Sequence, residues 1–112
     1  ASSGNQTALG IDPTVNQSST AGYTVLLVNP TETATGSGAK LLADFQVGGT
    51  SKFKISNTGK ITTSGNVINI ATAKTPSSAS DTGTTGDIAW DTNYVYVCTA
   101  TNTWKRSALS TW

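Results

Sequence analysis

Histidine and methionine are absent from this chain, cysteine occurs once, and only 12% of its 112 residues are charged. Each shortage removes a class of chemistry. Without histidine there is no imidazole to act as a general base near neutral pH. A structural zinc site usually takes four N or S ligands, and a single cysteine does not supply them. That cysteine cannot close a disulfide within the chain either. The expectation is therefore no metal and no cofactor. Cys98 lies inside a strand-like run and reads as a small buried apolar residue rather than a reactive thiol. A net charge of +1 gives no basis for binding nucleic acid or an anionic membrane surface. No apolar run approaches the roughly 20 residues needed to span a bilayer, so no membrane insertion is expected. Ala1, Ser2, Ser3 and Gly4 form neither a basic nor an apolar leader, so no signal peptide is read there. The missing initiator Met makes the chain read as a fragment of something longer.

Hydrophobic residues make up 36% of the chain. Globular domains carry roughly 45–50%, although that figure counts Gly and omits Tyr. A disordered chain of low hydrophobicity would carry much more charge than this one. Thr is abundant, with Val, Ile and Tyr in the apolar runs, and these residues suit pleated strands. A small core leaves a small chain marginally stable. With disulfides and zinc unavailable, association with copies of itself is the remaining remedy.

No segment keeps apolar residues at helical spacing for long enough to read as a helix. Residues 1–20 are polar, with weak apolar marks at Leu9, Ile11 and Val15. Residues 23–28 (YTVLLV) form a strong strand run that ends at Asn29 and Pro30. Residues 41–47 alternate, with Leu41, Ala43, Phe45 and Val47 on one face. Gly48 and Gly49 then mark a hairpin, since both can take positive φ, and Phe53 and Ile55 continue the pattern. Asn57, Thr58 and Gly59 form another turn. Ile61, Val67, Ile68 and Ile70 follow as short apolar beads, too short to bury a face alone. Three identical chains around one axis could bury them together; a small monomeric sandwich is the plainer arrangement. Residues 72–85 hold almost no large apolar groups and read as an extended linker, with the domain boundary there.

Five of the eight aromatic residues lie in residues 86–112: Trp90, Tyr94, Tyr96, Trp104 and Trp112. This segment reads as a three-strand antiparallel meander turning at residues 91–93 and 101–102. Tyr94, Tyr96 and Cys98 share one face of its middle strand, and Val95 and Val97 the other. Both faces are apolar, so both are expected to be covered, again by neighbouring copies.

Chemistry has few handles here. Asp87 and Asp91 are close enough in sequence to form a carboxylate pair of the glycosidase kind. The plainer reading places Asp91 in its turn, bonded to nearby backbone, and Asp87 at a strand edge. No Gly-x-Ser-x-Gly elbow and no phosphate loop occur. Residues 91–93 open like a calcium loop but lack its later Gly and Glu. The expectation is no catalytic residues and no enzyme. Glycan binding is better supported. Trp90, Tyr94, Tyr96, Trp104, Arg106 and Trp112 could build a sugar platform, with Arg106 giving polar direction. Aromatics more often hold a core or interface together, so the same six are equally candidates for an interface between chains.

Residues 75–112 resemble the C-terminal ends of bacteriophage fibre and appendage proteins, especially those of marine and metagenomic tailed phages. The likeness lies in a Gly-Asp-Ile opening, an aromatic-Asp turn, a Tyr-Val-Tyr-Val-Cys strand, Thr-Trp-Lys-Arg and a final Trp. Residues 16–65 look like segments of such proteins as well, notably residues 47–61. The resemblance implies an all-β homotrimeric fibre on the surface of a virion. Residues 1–71 would be an intertwined shaft or small β domain, residues 72–85 a linker, and residues 86–112 a trimerising and capping tip. Partners would be further copies of the chain and a host-surface glycan. The alternative is a monomeric carbohydrate-binding β-sandwich of a secreted protein. A bacterial trimeric adhesin shares the shaft logic but lacks its heptads and anchor here.

Overall fold

A computed structural model describes residue 4 and residues 6–112. The reading made on residues 1–3 lies outside the described residues. The chain is all-β, with two three-stranded antiparallel sheets and no helix among the described residues. It divides into two compact units, Ala1–Gly65 and Asn66–Trp112, with one sheet in each.

The first sheet contains β1 (Leu41–Val47), β2 (Thr50–Ser56) and β3 (Ile61–Thr63), in that order. Gly48 and Gly49 join β1 to β2 at φ +57° and +77°. A two-residue primed turn needs positive φ at both centres, and glycine provides it without steric penalty. The register sets Val47 against Thr50, Phe45 against Phe53 and Ala43 against Ile55. The Phe45 and Phe53 rings meet at 5.9 Å. Between β2 and β3 the turn closes through the Gly59 N–H on Ser56 O at 3.0 Å and the Lys60 N–H on Ser56 Oγ at 3.1 Å. Upstream, the Glu32 carboxylate accepts from Asn57 Nδ2 at 3.0 Å.

The apolar face of this sheet stays open. Phe45, Val47 and Ile61 are each at least 60% exposed. The run at residues 23–28 corrects the expectation of a strand: it joins no sheet, and its large apolar side chains are exposed. Strand propensity is local, whereas a strand needs a partner edge for its N–H and C=O groups. Val67, Ile68 and Ile70 lie outside the strands for the same reason.

The second sheet contains β4 (Ile88–Trp90), β5 (Tyr94–Ala100) and β6 (Thr103–Ala108), the meander read from the sequence. Residues 72–85, read as a linker, contain no strand, and they are held firmly against this sheet. The Lys74 N–H donates to Trp90 O at 3.0 Å, and the Trp104 N–H to Ala79 O at 2.8 Å. The Asn102 N–H reaches Gly83 O at 2.9 Å, while Asn102 Oδ1 accepts from the Gly83 N–H at 3.0 Å. Pro76 is buried by this packing. The buried hydrophobic core of the described residues is small: Ala89, Tyr96, Cys98 and Trp104.

That core covers one face of β4–β6 only. Register places Ile88 opposite Val97 and Trp90 opposite Val95, so these four share the other face. There Ile88 is 63% exposed, and Val95 and Val97 are more than a third exposed. Within the single chain this second face is left open, and the cover expected for it would come from neighbouring copies. Residues 72–85 roof one side of this short meander, and on the other Ile70 meets the Trp90 indole while Ile88, Val95 and Val97 stay open.

Candidate functional site

Asp91 organises the C-terminal sheet. It sits in the turn between β4 and β5, where Oδ1 accepts from the N–H groups of Asn93 (2.8 Å) and Tyr94 (2.9 Å). This is the local side-chain-to-backbone bonding that makes Asp a turn residue. Its other oxygen accepts the hydroxyls of Tyr96 (2.6 Å) and Thr75 (2.7 Å). Four donors on one carboxylate stabilise its charged form. The Tyr96 hydroxyl first, then Thr75 and the two backbone N–H groups, hold the Asp91 carboxyl far below the ordinary carboxylate range. The same bond to Asp91, with burial and the carboxylate charge, pushes the Tyr96 phenol up, and Arg106 opposes that rise.

The other two acids of this unit also serve loops. Asp81 accepts the N–H groups of Ser77 (2.9 Å) and Thr82 (2.8 Å), and these bonds lower its pKa. Asp87 accepts the Thr84 N–H at 2.8 Å. Asp87 and Asp91 are each tied to their own turn.

The six residues singled out in the sequence separate into three places. Tyr94, Tyr96, Trp104 and Arg106 lie on the core face of the sheet, since Tyr96 pairs with Arg106 and Cys98 with Trp104. Trp90 lies on the opposite face and donates its indole N–H to Ile70 O at 2.8 Å. Trp112 is fully exposed at the chain end. Tyr96 and Trp104 are buried, so neither presents an open ring face. Trp104 donates its indole N–H to Asp81 O at 3.1 Å, and the Lys74 ammonium lies 5.3 Å above its ring. The Arg106 guanidinium stacks 4.1 Å from the centre of the half-buried Tyr94 ring.

Beside this face residues 76–79 border a cleft of about 300 Å³, walled on its other side by Tyr96, Trp104 and Arg106. Sequence reading missed residues 76–79 as part of any site. Their small side chains carry no signal of their own, and only the docking of residues 72–85 brings them here. Among the described residues, no group of three or more His, Cys, Asp or Glu side chains converges to hold a metal ion. No helix of the described residues is long and apolar enough to cross a membrane.

No family profile matches the chain, and no solved structure matches it. Part of it is similar to two phage proteins. One is a depolymerase of Klebsiella phage K64-1 named capsule K30/K69-specific, 46% identical over 50 residues. That match takes in 45% of this chain and 6% of the relative. The other is depolymerase 1 of Klebsiella phage K5-2, with the same capsule specificity in its name. It is 60% identical over 40 residues, which are 36% of this chain and 5% of the relative. The chain therefore spans only a small part of the curated relatives it matches. These names correct the expectation of no enzyme, since a depolymerase is one. The expectation rested on the missing histidine and on turn-bound carboxylates. Residue content in a chain this short does not report on the chemistry of relatives many times its length.

Proposed function

We propose that this chain is part of a capsule-directed phage tail appendage of the depolymerase kind, carried on the virion surface. The observation that carries this reading is the 60% identity over 40 residues to a capsule-specific depolymerase. The activity of the whole protein is then cleavage of a host capsular polysaccharide. This segment contributes self-association and contact with that glycan.

Self-association is supported by exposed area. The chain exposes 9629 Å². Two separate folded globules of half its mass would expose only about 7,000 Å² together. The surplus is well above the roughly 800 Å² that each partner buries in a standard interface. Large apolar side chains stand exposed on the open faces of both sheets and along residues 23–28. Burial of such surface between copies is the ordinary driving force for oligomers. Three copies, rather than two, follow from the resemblance to phage fibres.

Light scattering on a sizing column tests the assembly. A mass three times the 11.5 kDa of one chain is expected. A mass of one chain would remove the homotrimer. Retention on immobilised Klebsiella K30 or K69 capsule, against a neutral dextran matrix, tests the glycan contact.

A further inference from the structure

The cleft between residues 76–79 and the core face of the C-terminal sheet pairs a cation with an acceptor. Arg106 supplies the cation. Its guanidinium is stacked on Tyr94 and is not spent on a carboxylate there, so its planar fork is held in place for another anion. Tyr96 supplies the acceptor. Its proton is committed to Asp91 at 2.6 Å, which leaves Oη an acceptor, and Arg106 lies close enough to bear on that oxygen. The neighbouring acids stay charged, and each is held in place by donors other than Arg106. Asp91 is bound by four donors, and Asp81 by two backbone N–H groups.

We propose that this cleft is a subsite for an acidic sugar, a hexuronate unit of a polysaccharide, with Arg106 on its carboxylate and Tyr96 Oη accepting a ring hydroxyl. The assignment rests on the capsule-facing reading above and narrows it to an anionic glycan. A carboxylate with hydroxyls close by fits a fork donor beside a fixed acceptor, because Arg binds carboxylates with two parallel N–H bonds. Ser77 and Ser78 line the other wall, where Ser78 Oγ accepts the Ser80 N–H at 3.2 Å and Ser77 is tied to Asp81. The volume suits one sugar unit, at the small end of ligand sites. Ring stacking contributes little, since Trp104 turns almost no surface outward.

The test is an NMR titration of the isotope-labelled chain with sodium glucuronate, and with glucose at equal concentrations and ionic strength. Glucuronate is expected to shift the amides of residues 77–79 and the Trp104 indole N–H, and glucose to leave them in place. Arg106→Ala should weaken glucuronate binding by about tenfold or more, since hydrogen bonds to charged groups carry roughly that much. Arg106→Lys, which keeps the charge and loses the fork, should fall between. If Arg106→Ala perturbs the fold, the Arg106→Lys comparison carries the test alone. Equal shifts with glucose, no shift at these residues, or wild-type affinity in the Arg106 variants would each overturn the subsite. Capsule retention without glucuronate shifts removes the subsite and leaves the capsule reading. Glucuronate shifts without capsule retention do the reverse.

Discussion

Gly83 lies flat against the indole of Trp104. A Cβ built at position 83 would fall 2.7 Å from Cε2, Cζ2 and Nε1 of that ring. Real Cβ atoms do not approach this closely, so the glycine is required by contact with the ring rather than by its own backbone angles. In the same loop the Asp81 carbonyl accepts the Trp104 indole N–H at 3.1 Å. The loop and the ring therefore lock each other.

Gly83→Ala is accordingly expected to destabilise the C-terminal unit by about 1–3 kcal/mol, the usual range for overpacking. The ring cannot step aside without losing its bond to Asp81. A thermal melt followed by tryptophan fluorescence checks this. An unchanged midpoint would mean that the loop yields freely.

Trp104→Ala removes the largest member of a four-residue core. Truncating a buried Trp commonly costs about 3–5 kcal/mol. A unit with so few buried residues has little stability to spare. The variant is expected to lose the cooperative unfolding transition of the C-terminal unit altogether. Near-ultraviolet circular dichroism reads the loss directly.

Asp91 predicts the acid limit. Its carboxyl titrates far below the ordinary 3.8 because the folded protein bonds its charged form. A depressed folded pKa gives stability that is complete above the unfolded value and is lost as pH falls through the folded one. Stability of the C-terminal unit should therefore hold from neutral pH down to about 4 and decline below that. Asp91→Asn should lower the melting point at neutral pH and flatten the acid decline. A variant whose acid decline matches the wild type would assign that limit to another group.

Cys98 is fully buried and offers a clock for opening. Its Sγ lies 3.1 Å from Ala100 O, behind the sheet. Reaction with a thiol reagent should be slow and should follow the opening of the C-terminal unit. Gly83→Ala should speed it in proportion to the lost stability. Fast reaction of the wild-type chain would contradict the closed face.

Val97 sits on the open face, more than a third exposed. Val97→Lys should leave the fold of one chain intact and weaken self-association by about 1 kcal/mol or more per subunit, from lost apolar burial. Light scattering across a dilution series measures it. Loss of the monomer fold instead would place Val97 within the single-chain core.

The strands at β1, β2, β4, β5 and β6 were legible because alternation and turn chemistry occur side by side. Gly48 and Gly49, Gly59, Asp91 and Asn102 each stand where a turn needs that residue, and the first hairpin and the C-terminal meander follow from short turns joining adjacent runs. These are local properties, so sequence alone determined them, together with the all-β class. The tertiary structure decided which apolar runs gain a partner. Residues 23–28 have the composition of a strand and no neighbouring edge, while residues 72–85 lack that composition and pack on Trp104 and Trp90. It also separated Trp90 from Trp104, buried Tyr96, and brought residues 76–79 beside Arg106. Burial and backbone pairing depend on residues far apart in the chain, and composition and spacing do not encode which of those will meet.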